Sequence, residues 1–374
     1  MTKRILVLFL TALYISLNIN AQDSKNLKLL DARDAIVGAS RLEMYLPLLE
    51  NKSVGVVGNH TSIIENGVHI IDTLLTYDVN IVRIFSPEHG FRGTAAEGAF
   101  IDSGVDEKTG IPIVSLYGKN KKPTAEQLHG LDILVFDLQD VGCRFYTYIS
   151  TMTYVMEAAA ENNIPVIVLD RPNPNGFYVD GPVLEPENTS FVGMHCVPIV
   201  YGLTIGEYAN MVNGERWLKD SIQCNLTVIP LGNYDRSAIY KLPVKPSPNL
   251  PNWESVYLYP SLCLFEGTDL GVGRRTKQPF QIYTHPQLDT VNLVEYAHSF
   301  ENNEKKLNLS WILEARKQLK DDEKFFNNYF IKLVGVGDMQ QKIDSGMTED
   351  EIRSSWQTGI DNYLKIREKY LIYQ

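Results

Sequence analysis

The sequence predicts an α/β protein: a Rossmann-like parallel sheet domain followed by a second, smaller C-terminal α+β domain. Short runs rich in Val, Ile and Leu alternate with segments of helical periodicity, which is typical of parallel strands covered by helices on both faces. Most of these runs end in polar or glycine-containing turns, as strands do where they enter their connections. The four prolines of LPVKPSPNLPN, at residues 242–252, predict the boundary between the two domains.

The predicted strands follow one another through the first part of the chain. Each begins as an apolar run, and five of them with their turns are SVGVVGNHTSI, VNIVRIFSPEHG, IPIVSLYG, DILVFDLQDVG and IPVIVLDRPNPNG. The spacing of apolar residues predicts intervening helices in GVHIIDTLLTYD and YISTMTYVMEAAAENN. The strands VPIVYG and LTVIPL, with a helix in TIGEYANMVNGERWL between them, are expected to extend the sheet to about residue 231.

The C-terminal part of the chain is predicted to be mainly helical. One helix is indicated by NLSWILEARKQL, and the last begins near Thr348, where Thr-x-x-Glu matches a capping box. Apolar residues recur at helical spacing in this last helix and are expected to pack on the core: Ile352, Trp356, Ile360 and Tyr363.

The N-terminus has the pattern of a secretory signal peptide, predicted at residues 1–21. Lys3 and Arg4 form a positive n-region, residues 5–17 form an apolar h-region, and Ala21 precedes the expected cut. The apolar run is short for a membrane span, and the alternative interpretation is an uncleaved anchor. The protein is therefore expected to be exported, and periplasmic or extracellular after cleavage, with no stable membrane insertion.

The remaining chain is divided by the proline segment into a Rossmann-like catalytic domain at residues 28–240 and a smaller C-terminal domain at residues 245–374. The formal net charge of −10 argues against a nucleic-acid binder, which needs a basic footprint. The four cysteines are widely spaced without CxxC, and HExxH is missing, so neither a metal site nor a cofactor is predicted. Buried free thiols are favoured over disulfides.

Polar side chains collect where the predicted strands end. They are Asn59 and His60, then Glu88, His89 and Arg92, then Asp137, Asp140 and Arg144, and finally Asp170 and Arg171. Since ligands of open α/β sheets bind at the carboxyl ends of the strands, this edge is the predicted binding site. The nucleotide motifs GxGxxG and GxxxxGK[ST] and the hydrolase motif GxSxG are missing at the places where they are expected.

Five motifs carry a resemblance to a known family: SPEHGFRG, DLQDVGCRFYTY, DRPNPNG, PSPNLPN and FEGTDLGVGRRT. Together they resemble the exo-β-N-acetylmuramidase family (NamZ-like), formerly a domain of unknown function, from about residue 28 to the C-terminus. The resemblance implies a Rossmann-like catalytic domain and a smaller C-terminal domain. It also implies release of N-acetylmuramic acid from the non-reducing ends of peptidoglycan fragments such as MurNAc-GlcNAc. Glu88 matches the glutamate of the family's PEHG motif, which is taken as catalytic.

The chemistry of glycoside hydrolysis agrees with a catalytic carboxyl at this position. An acid protonates the departing oxygen, and a second carboxylate usually attacks the sugar or activates water. A carboxyl of Glu88 desolvated near Pro87 and Phe91 is expected to have a raised pKa, which suits an acid. The alternative is that Glu88 only anchors the turn.

Several side chains are candidates for the second carboxylate: Glu97, Asp137, Asp140, Asp170 and Glu266. Asp140 is preferred, although an aspartate after a strand is also a common helix N-cap. A substrate-assisted route, in which the sugar's acetamido group is the nucleophile, is also open.

Substrate binding is assigned to further residues of the same motifs. The lactyl carboxylate of muramic acid is best recognised by arginine, for which the candidates are Arg92, Arg144, Arg171, Arg274 and Arg275. The other predicted binding residues are Asn59, His60, His89, Tyr146, Asp170 and Glu266, with Tyr146 expected to stack on a sugar ring. Each has a structural alternative, such as a surface ion pair for an arginine or core packing for a tyrosine.

Two other functions stay open on the sequence alone. One is a non-catalytic muropeptide- or sugar-binding protein on the same scaffold, because a fold does not determine a function. The other is a hydrolase of another anionic substrate, such as a phosphoester, against which the missing metal-ligand cluster weighs.

Overall fold

The computed structural model describes residues 27–64, 67–88, 90–92, 104–322 and 324–373. The predicted signal peptide, His89 and Glu97 lie outside the described residues.

The centre of the protein is a seven-stranded sheet with the order β4-β5-β3-β2-β6-β7-β8. Its strands are β2 (Val54–Gly58), β3 (Ile81–Ser86), β4 (Gly104–Val105), β5 (Pro112–Ser115), β6 (Ile133–Asp137), β7 (Val166–Leu169) and β8 (Leu226–Ile229). Every pairing is parallel except that between β4 and β5. Strand order reverses between β2 and β6, which is the arrangement of a doubly wound α/β fold and confirms the predicted fold class.

Two small sheets lie outside the main one. The strand β1 (Lys28–Asp31) pairs in parallel with β9 (Ala238–Lys241), and β10 (Ile282–His285) forms an antiparallel pair with β11 (Leu288–Asn292). In the described part of the C-terminal region, the second pair supplies the strands, and helices make up most of the other regular structure.

The helices follow the predicted pattern. They are α1 (Leu42–Leu49), α2 (Ile70–Thr76), α3 (Ala125–Leu128), α4 (Tyr148–Glu161), α5 (Ile205–Gly214), α6 (Trp253–Leu262), α7 (Val294–His298), α8 (Ser310–Gln318), α9 (Phe330–Val334), α10 (Met339–Asp344) and α11 (Glu349–Arg367). The capping box at Thr348 is present, and it fixes the start of α11 by satisfying backbone N–H groups that a helix leaves free. The four apolar side chains predicted to face the core from α11 are buried.

The run VPIVYG at residues 197–202 was predicted as a strand, and this is wrong. Val200 makes only isolated bridges, to Cys143 on one side and Asp180 on the other. Its backbone N–H donates to the carbonyl of Asp180 at 2.9 Å, and the carbonyl of Ile199 accepts from the N–H of Arg144 at 2.8 Å. A buried connection between two loops needs the same apolar composition as a buried strand, so composition does not separate them.

One hydrophobic cluster joins the sheet to the C-terminal helices. It includes Phe136 of β6 and Met152 of α4 together with Trp356 and Tyr363 of α11. A second cluster lies around Val56, Ile70 and Leu74, between β2 and α2. Within the described ranges, no helix is both long and apolar enough to cross a membrane.

Candidate active site

A cavity of about 210 Å³ lies between the carboxyl edge of the sheet and the C-terminal region. It is lined by Glu88, Phe145, Tyr146, Thr147, Tyr148, Val192, Ser247, Asn249, Leu250, Tyr259, Cys263, Glu266, Arg274, Phe280, Tyr329 and Leu333. Its volume is below the roughly 300–1,000 Å³ of sites for drug-sized ligands, so the cavity suits a compact ligand rather than an extended one.

Glu88 reaches this cavity because of how β3 ends. The strand stops at Ser86, Pro87 is buried, and Glu88 follows half-buried at the sheet edge. Gly90 then turns the chain with a φ of 77°, a conformation that L side chains rarely adopt. Phe91 packs edge-on against His69, at 4.8 Å between ring centroids, on the side of α2.

The Tyr117 phenol is a hydrogen-bonding neighbour of the Glu88 carboxylate. The negative charge of Glu88 raises the pKa of the Tyr117 phenol, with burial adding to the effect. The sheet explains why the two meet: β3 and β5 are neighbours with Ser86 opposite Ser115, and each functional side chain comes two residues later. Sequence reasoning missed Tyr117, although its equivalent position after a strand was a usable signal.

Two tyrosines at the start of α4 form the next wall. Their rings meet edge to face, with the centroids of Tyr146 and Tyr148 4.9 Å apart. The Tyr146 hydroxyl donates to the carbonyl of Pro246 at 2.8 Å, and the Tyr148 oxygen accepts from the amide of Asn59 at 2.7 Å. Burial raises the pKa of both phenols, and the charge of Glu88 contributes. Asn59 is itself fully buried, so its effect on the cavity is to hold the hydroxyl of Tyr148 in place.

The opposite wall comes from the motif FEGTDLGVGRRT. Glu266 accepts a hydrogen bond from Nε of Arg274, and the thiol of Cys263 lies 3.6 Å from its other carboxylate oxygen. The guanidinium of Arg274 also lies over the ring of Phe280, at 5.0 Å from the centroid. This arrangement orients the Glu266 carboxylate and a cation on the side of the cavity formed by the C-terminal region.

The proline-rich segment closes the site. Ser247, Asn249 and Leu250 line the cavity, and the carbonyl of Lys245 lies 2.9 Å from Nε2 of His60. The predicted boundary is therefore a wall of the cavity, and His60 is tied to that wall rather than to the cavity itself.

No comparable signal in the sequence marks the other lining residues. Tyr259 and Tyr329 are aromatic residues among many in the C-terminal half, and their burial raises the pKa of each phenol. Only the folded arrangement brings them to Glu88, whose charge also raises the pKa of Tyr329.

Asp140, the preferred second carboxylate, does not line the cavity. Its side chain is buried, and one carboxylate oxygen accepts hydrogen bonds from the hydroxyl of Tyr201 and from the N–H of Gly142, the latter at 2.6 Å. Burial raises the pKa of Asp140 to about 7, although both hydrogen bonds oppose the shift. Gly142 has a φ of 80°, so Asp140 holds a tight turn after β6.

Two further predicted carboxylates are also occupied inside the protein. Asp137 forms a buried bidentate ion pair with Arg171, at 2.6 and 2.9 Å. Asp170 is fully buried and accepts from the N–H of Gly206 at 2.8 Å and from the hydroxyls of Thr204 at 2.7 Å and Tyr373 at 2.6 Å. Burial raises the pKa of Asp170 to about 6. Asp170 and Arg171 therefore stabilise the loop after β7 and do not reach the Glu88 cavity.

The prediction that Arg144 binds substrate is corrected by the structure. Its guanidinium is fully buried and donates to the carbonyls of Pro182, Val197, Leu333 and Val334 at 2.8–2.9 Å. Every one of these acceptors is backbone, so the side chain joins segments of the fold.

Arg92 is likewise directed elsewhere. It forms ion pairs with Asp106 at 2.8 Å and with Asp72 at 3.3 Å, on the side of α2. Among the predicted binding residues that the structure describes, Tyr146, Glu266 and Arg274 are the ones that share the cavity with Glu88.

A group able to hold a metal ion lies elsewhere in the described ranges, at Asp269, His285 and Asp322, with ligand atoms within 4.8 Å of one another. None of the three lines the cavity. Nε2 of His285 is 2.9 Å from Asp269, and its Nδ1 accepts from the N–H of Gln287 at 3.2 Å, so both ring nitrogens are already engaged within the protein.

Comparisons with known proteins identify the family to which the chain belongs. The family model for the N-terminal domain of exo-beta-N-acetylmuramidase NamZ matches residues 54–254, and that for its C-terminal domain matches residues 257–307 and 298–373. The chain is 38% identical over 371 residues to the peptidoglycan beta-N-acetylmuramidase NamZ of Bacillus subtilis (strain 168), covering 88% of this chain and 89% of that protein. The resemblance inferred from the five motifs is confirmed.

Solved structures give the same result. A crystal structure of a DUF1343 family protein from Bacteroides fragilis NCTC 9343, at 1.30 Å resolution, is similar with a TM-score of 0.83 and 41% identity. A second DUF1343 family protein from the same strain, at 1.65 Å, has a TM-score of 0.77 and 29% identity. Both comparisons cover 91% of this chain and 99% of the other.

The position of Asp140 predicts a specific pH dependence of stability. Because its folded-state pKa of about 7 lies above the ordinary 3.8, the folded protein binds a proton that the unfolded chain releases between these values. The contribution of Asp140 to the free energy of unfolding is therefore expected to fall as pH rises from 4 to 7, by at most about 1.4 kcal/mol per pH unit. Above pH 7 this contribution falls no further. Asp140→Asn removes this contribution and leaves that of Asp170. Urea unfolding at pH 4, 5.5 and 7 measures the difference, and parallel profiles for the two proteins would contradict the assignment.

Proposed function

The chain belongs to the exo-β-N-acetylmuramidase NamZ family, and we propose that Glu88 is its catalytic acid. The protein is an exo-acting glycoside hydrolase that removes terminal N-acetylmuramic acid from peptidoglycan fragments such as MurNAc-GlcNAc. The observation that carries this proposal is the pair of carboxylates, Glu88 and Glu266, on the described walls of one small cavity at the carboxyl edge of the sheet. The PEHG match and the chemistry of glycoside cleavage point to the first of them.

The surroundings of Glu88 fit the delivery of a proton. The Tyr117 phenol is placed to hydrogen-bond the carboxyl, and the buried rings of Tyr146 and Tyr148 restrict the water around it. A positioned acid needs this kind of support, because proton transfer depends on a hydrogen-bonded geometry with the leaving oxygen.

Glu266 replaces Asp140 as the proposed second carboxylate. It lines the same cavity as Glu88, whereas Asp140 is buried away from it and committed to the turn after β6. Its ion pair with Arg274 keeps the carboxylate oriented toward the sugar site. In the substrate-assisted alternative, the acetamido group attacks and Glu266 orients that group.

Arg274 is the proposed partner of the lactyl carboxylate of muramic acid. Of the candidate arginines it is the one on the described cavity wall, since Arg92, Arg144 and Arg171 are directed to other partners. A guanidinium is suited to this task because it binds carboxylates by charge-assisted, often bidentate, hydrogen bonds.

We also propose that the protein is exported and cleaved near Ala21, since residues 1–21 have the n-region and h-region of a signal peptide. N-terminal sequencing of the mature protein measures the cleavage site, and an intact Met1 in a cytoplasmic fraction would refute export.

Glu88→Gln should lower turnover of MurNAc-GlcNAc by at least about 100-fold while folding and sugar binding persist. Glutamine keeps the volume and an acceptor but cannot deliver a proton, and a positioned acid contributes roughly 10²–10⁴-fold. On a nitrophenyl muramide, whose leaving group needs little protonation, the variant should recover part of its rate. Steady-state kinetics on the two substrates measure both effects.

The matched control for Glu88→Gln is Asp140→Asn, which also neutralises one carboxyl near the sheet edge. Because Asp140 does not line the cavity, its variant should keep turnover within about tenfold of the wild type. Near-native activity of Glu88→Gln on the natural disaccharide would show that Glu88 only anchors its turn.

Arg274 should determine the preference for a muramic over a glucosamine residue at the non-reducing end. Loss of one buried, charge-assisted contact costs roughly 2–5 kcal/mol, so the wild-type kcat/KM should favour N-acetylmuramic acid by about 30- to several-thousand-fold. Arg274→Met should reduce this ratio strongly, while Arg92→Met, whose guanidinium pairs with Asp72 and Asp106, should preserve it. If the ratio is the same in Arg274→Met and in the wild type, another group reads the lactyl carboxylate.

A further inference from the structure

A second cavity, of about 430 Å³, lies beside the crevice between β2 and β6, where strand order reverses. It is lined by Ala32, Arg33, Ala35, Val37, Ile63, Ile64, Gly67, Gln139, Arg171, Pro172, Pro243 and Val244. None of these residues lines the Glu88 cavity. This volume lies within the roughly 300–1,000 Å³ range of sites that hold drug-sized ligands, and the switch point is where such sites occur in open sheets.

Arg171 supplies a hydrogen-bond donor to this cavity. Its side chain is only 2% exposed, with Nε and Nη2 bonded to Asp137 and Nη2 also to the carbonyl of Ile63 at 2.9 Å. Nη1 makes no hydrogen bond within the described part of the chain, and Arg171 lines the cavity. Because Asp137 balances the charge of Arg171, this donor favours a neutral acceptor over an anion.

Gln139 supplies the matching acceptor. Its amide nitrogen donates to the carbonyls of Asp140 at 2.8 Å and Pro172 at 2.7 Å, which fixes the orientation of the amide. Oε1 accepts no hydrogen bond from the residues that the structure describes, although the side chain is buried and lines the cavity. This oxygen is therefore an acceptor that a ligand N–H in the cavity can reach.

The remaining walls select the kind of ligand. They are mainly aliphatic, from Ala35, Val37, Ile63 and Val244 among others, and the described lining includes no aromatic ring. A sugar needs many hydroxyl partners and usually a ring to stack on, whereas a peptide group needs one acceptor and one donor between small apolar side chains.

We propose that this second cavity binds a short peptide of small aliphatic residues. The peptide carbonyl accepts from Nη1 of Arg171, the adjacent peptide N–H donates to Oε1 of Gln139, and alanine-sized side chains fill the aliphatic walls.

The same proline-rich segment contributes to the walls of both cavities. Pro243 and Val244 line the second cavity, and Ser247 and Asn249 line the Glu88 cavity. Val244 and Ser247 are three residues apart, so the two walls are at most about 10 Å from each other along the chain. The bound peptide is therefore either free or attached to a sugar in the Glu88 cavity, and the second case rests on the proposed function.

Calorimetric titration of the mature protein with N-acetyl-alanyl-alanine methylamide tests the peptide site directly. Saturable binding is expected in the wild type and equally in Glu88→Gln, so failure of the proposed catalytic role would leave this result unchanged.

Val244→Phe fills the cavity without removing a hydrogen bond and should weaken binding by roughly 10- to 200-fold. Val105→Phe, at a site 59% exposed that lines neither cavity, is the matched control and should bind as the wild type does. Thermal unfolding of both variants checks that they fold.

A change in the ligand tests the hydrogen bonds. An ester in place of the central amide removes the N–H offered to Gln139 and should weaken binding by about tenfold or more. KM is also compared for disaccharides with and without an attached peptide, to decide whether the peptide that binds is free or attached to the sugar. If it is attached, Val244→Phe raises KM only for the disaccharide that carries the peptide. Absence of saturable binding at millimolar peptide, equal affinity in Val244→Phe, or displacement of the peptide by N-acetylglucosamine would overturn the proposal.

Discussion

The buried guanidinium of Arg144 connects the two parts of the fold on which the Glu88 cavity depends. It donates to two carbonyls from the loops after β7 and to the carbonyls of Leu333 and Val334 in α9. Burial lowers the pKa of Arg144 to about 10, so the group stays charged at neutral pH and its bonds are charge-assisted. Removing it would leave several buried carbonyls without a donor, which costs more than the net value of the bonds themselves.

The cavity inherits its shape from this contact. Phe145 and Tyr146 follow Arg144 directly in the chain, and Leu333 offers both a carbonyl to Arg144 and a side chain to the cavity wall. Glu88 belongs to the sheet, whereas Glu266 and Arg274 belong to the C-terminal region. The relative position of the two carboxylates is therefore a property of the packing between the regions, which Arg144 and the shared hydrophobic cluster maintain.

Most charged residues at the sheet edge stabilise the edge itself. The ends of parallel strands leave backbone groups and polar loops beside a buried sheet, and these need partners inside the protein. Asp137 and Arg171 pair with each other, Asp170 bonds the start of α5, and Asp140 holds the turn at Gly142. Among the charged residues of this edge that the structure describes, Glu88 is the exception, because β3 ends beside the C-terminal region and its side chain is directed to the cavity.

The sequence by itself determined the α/β class, the main helices with the capping box of α11, and Glu88 as the principal candidate, because periodicity, capping and motif spacing are local properties of the chain. Tertiary structure alone decided which polar residues face the cavity. Arg144 meets Leu333 across a separation of 189 residues, and Glu266 lines the same cavity as Glu88 only after the C-terminal region has packed on the sheet. It also decided that VPIVYG is a buried connection, since its partners lie in two distant loops. A charged or apolar side chain shows in the sequence that it needs a partner, but which partner it finds depends on long-range packing.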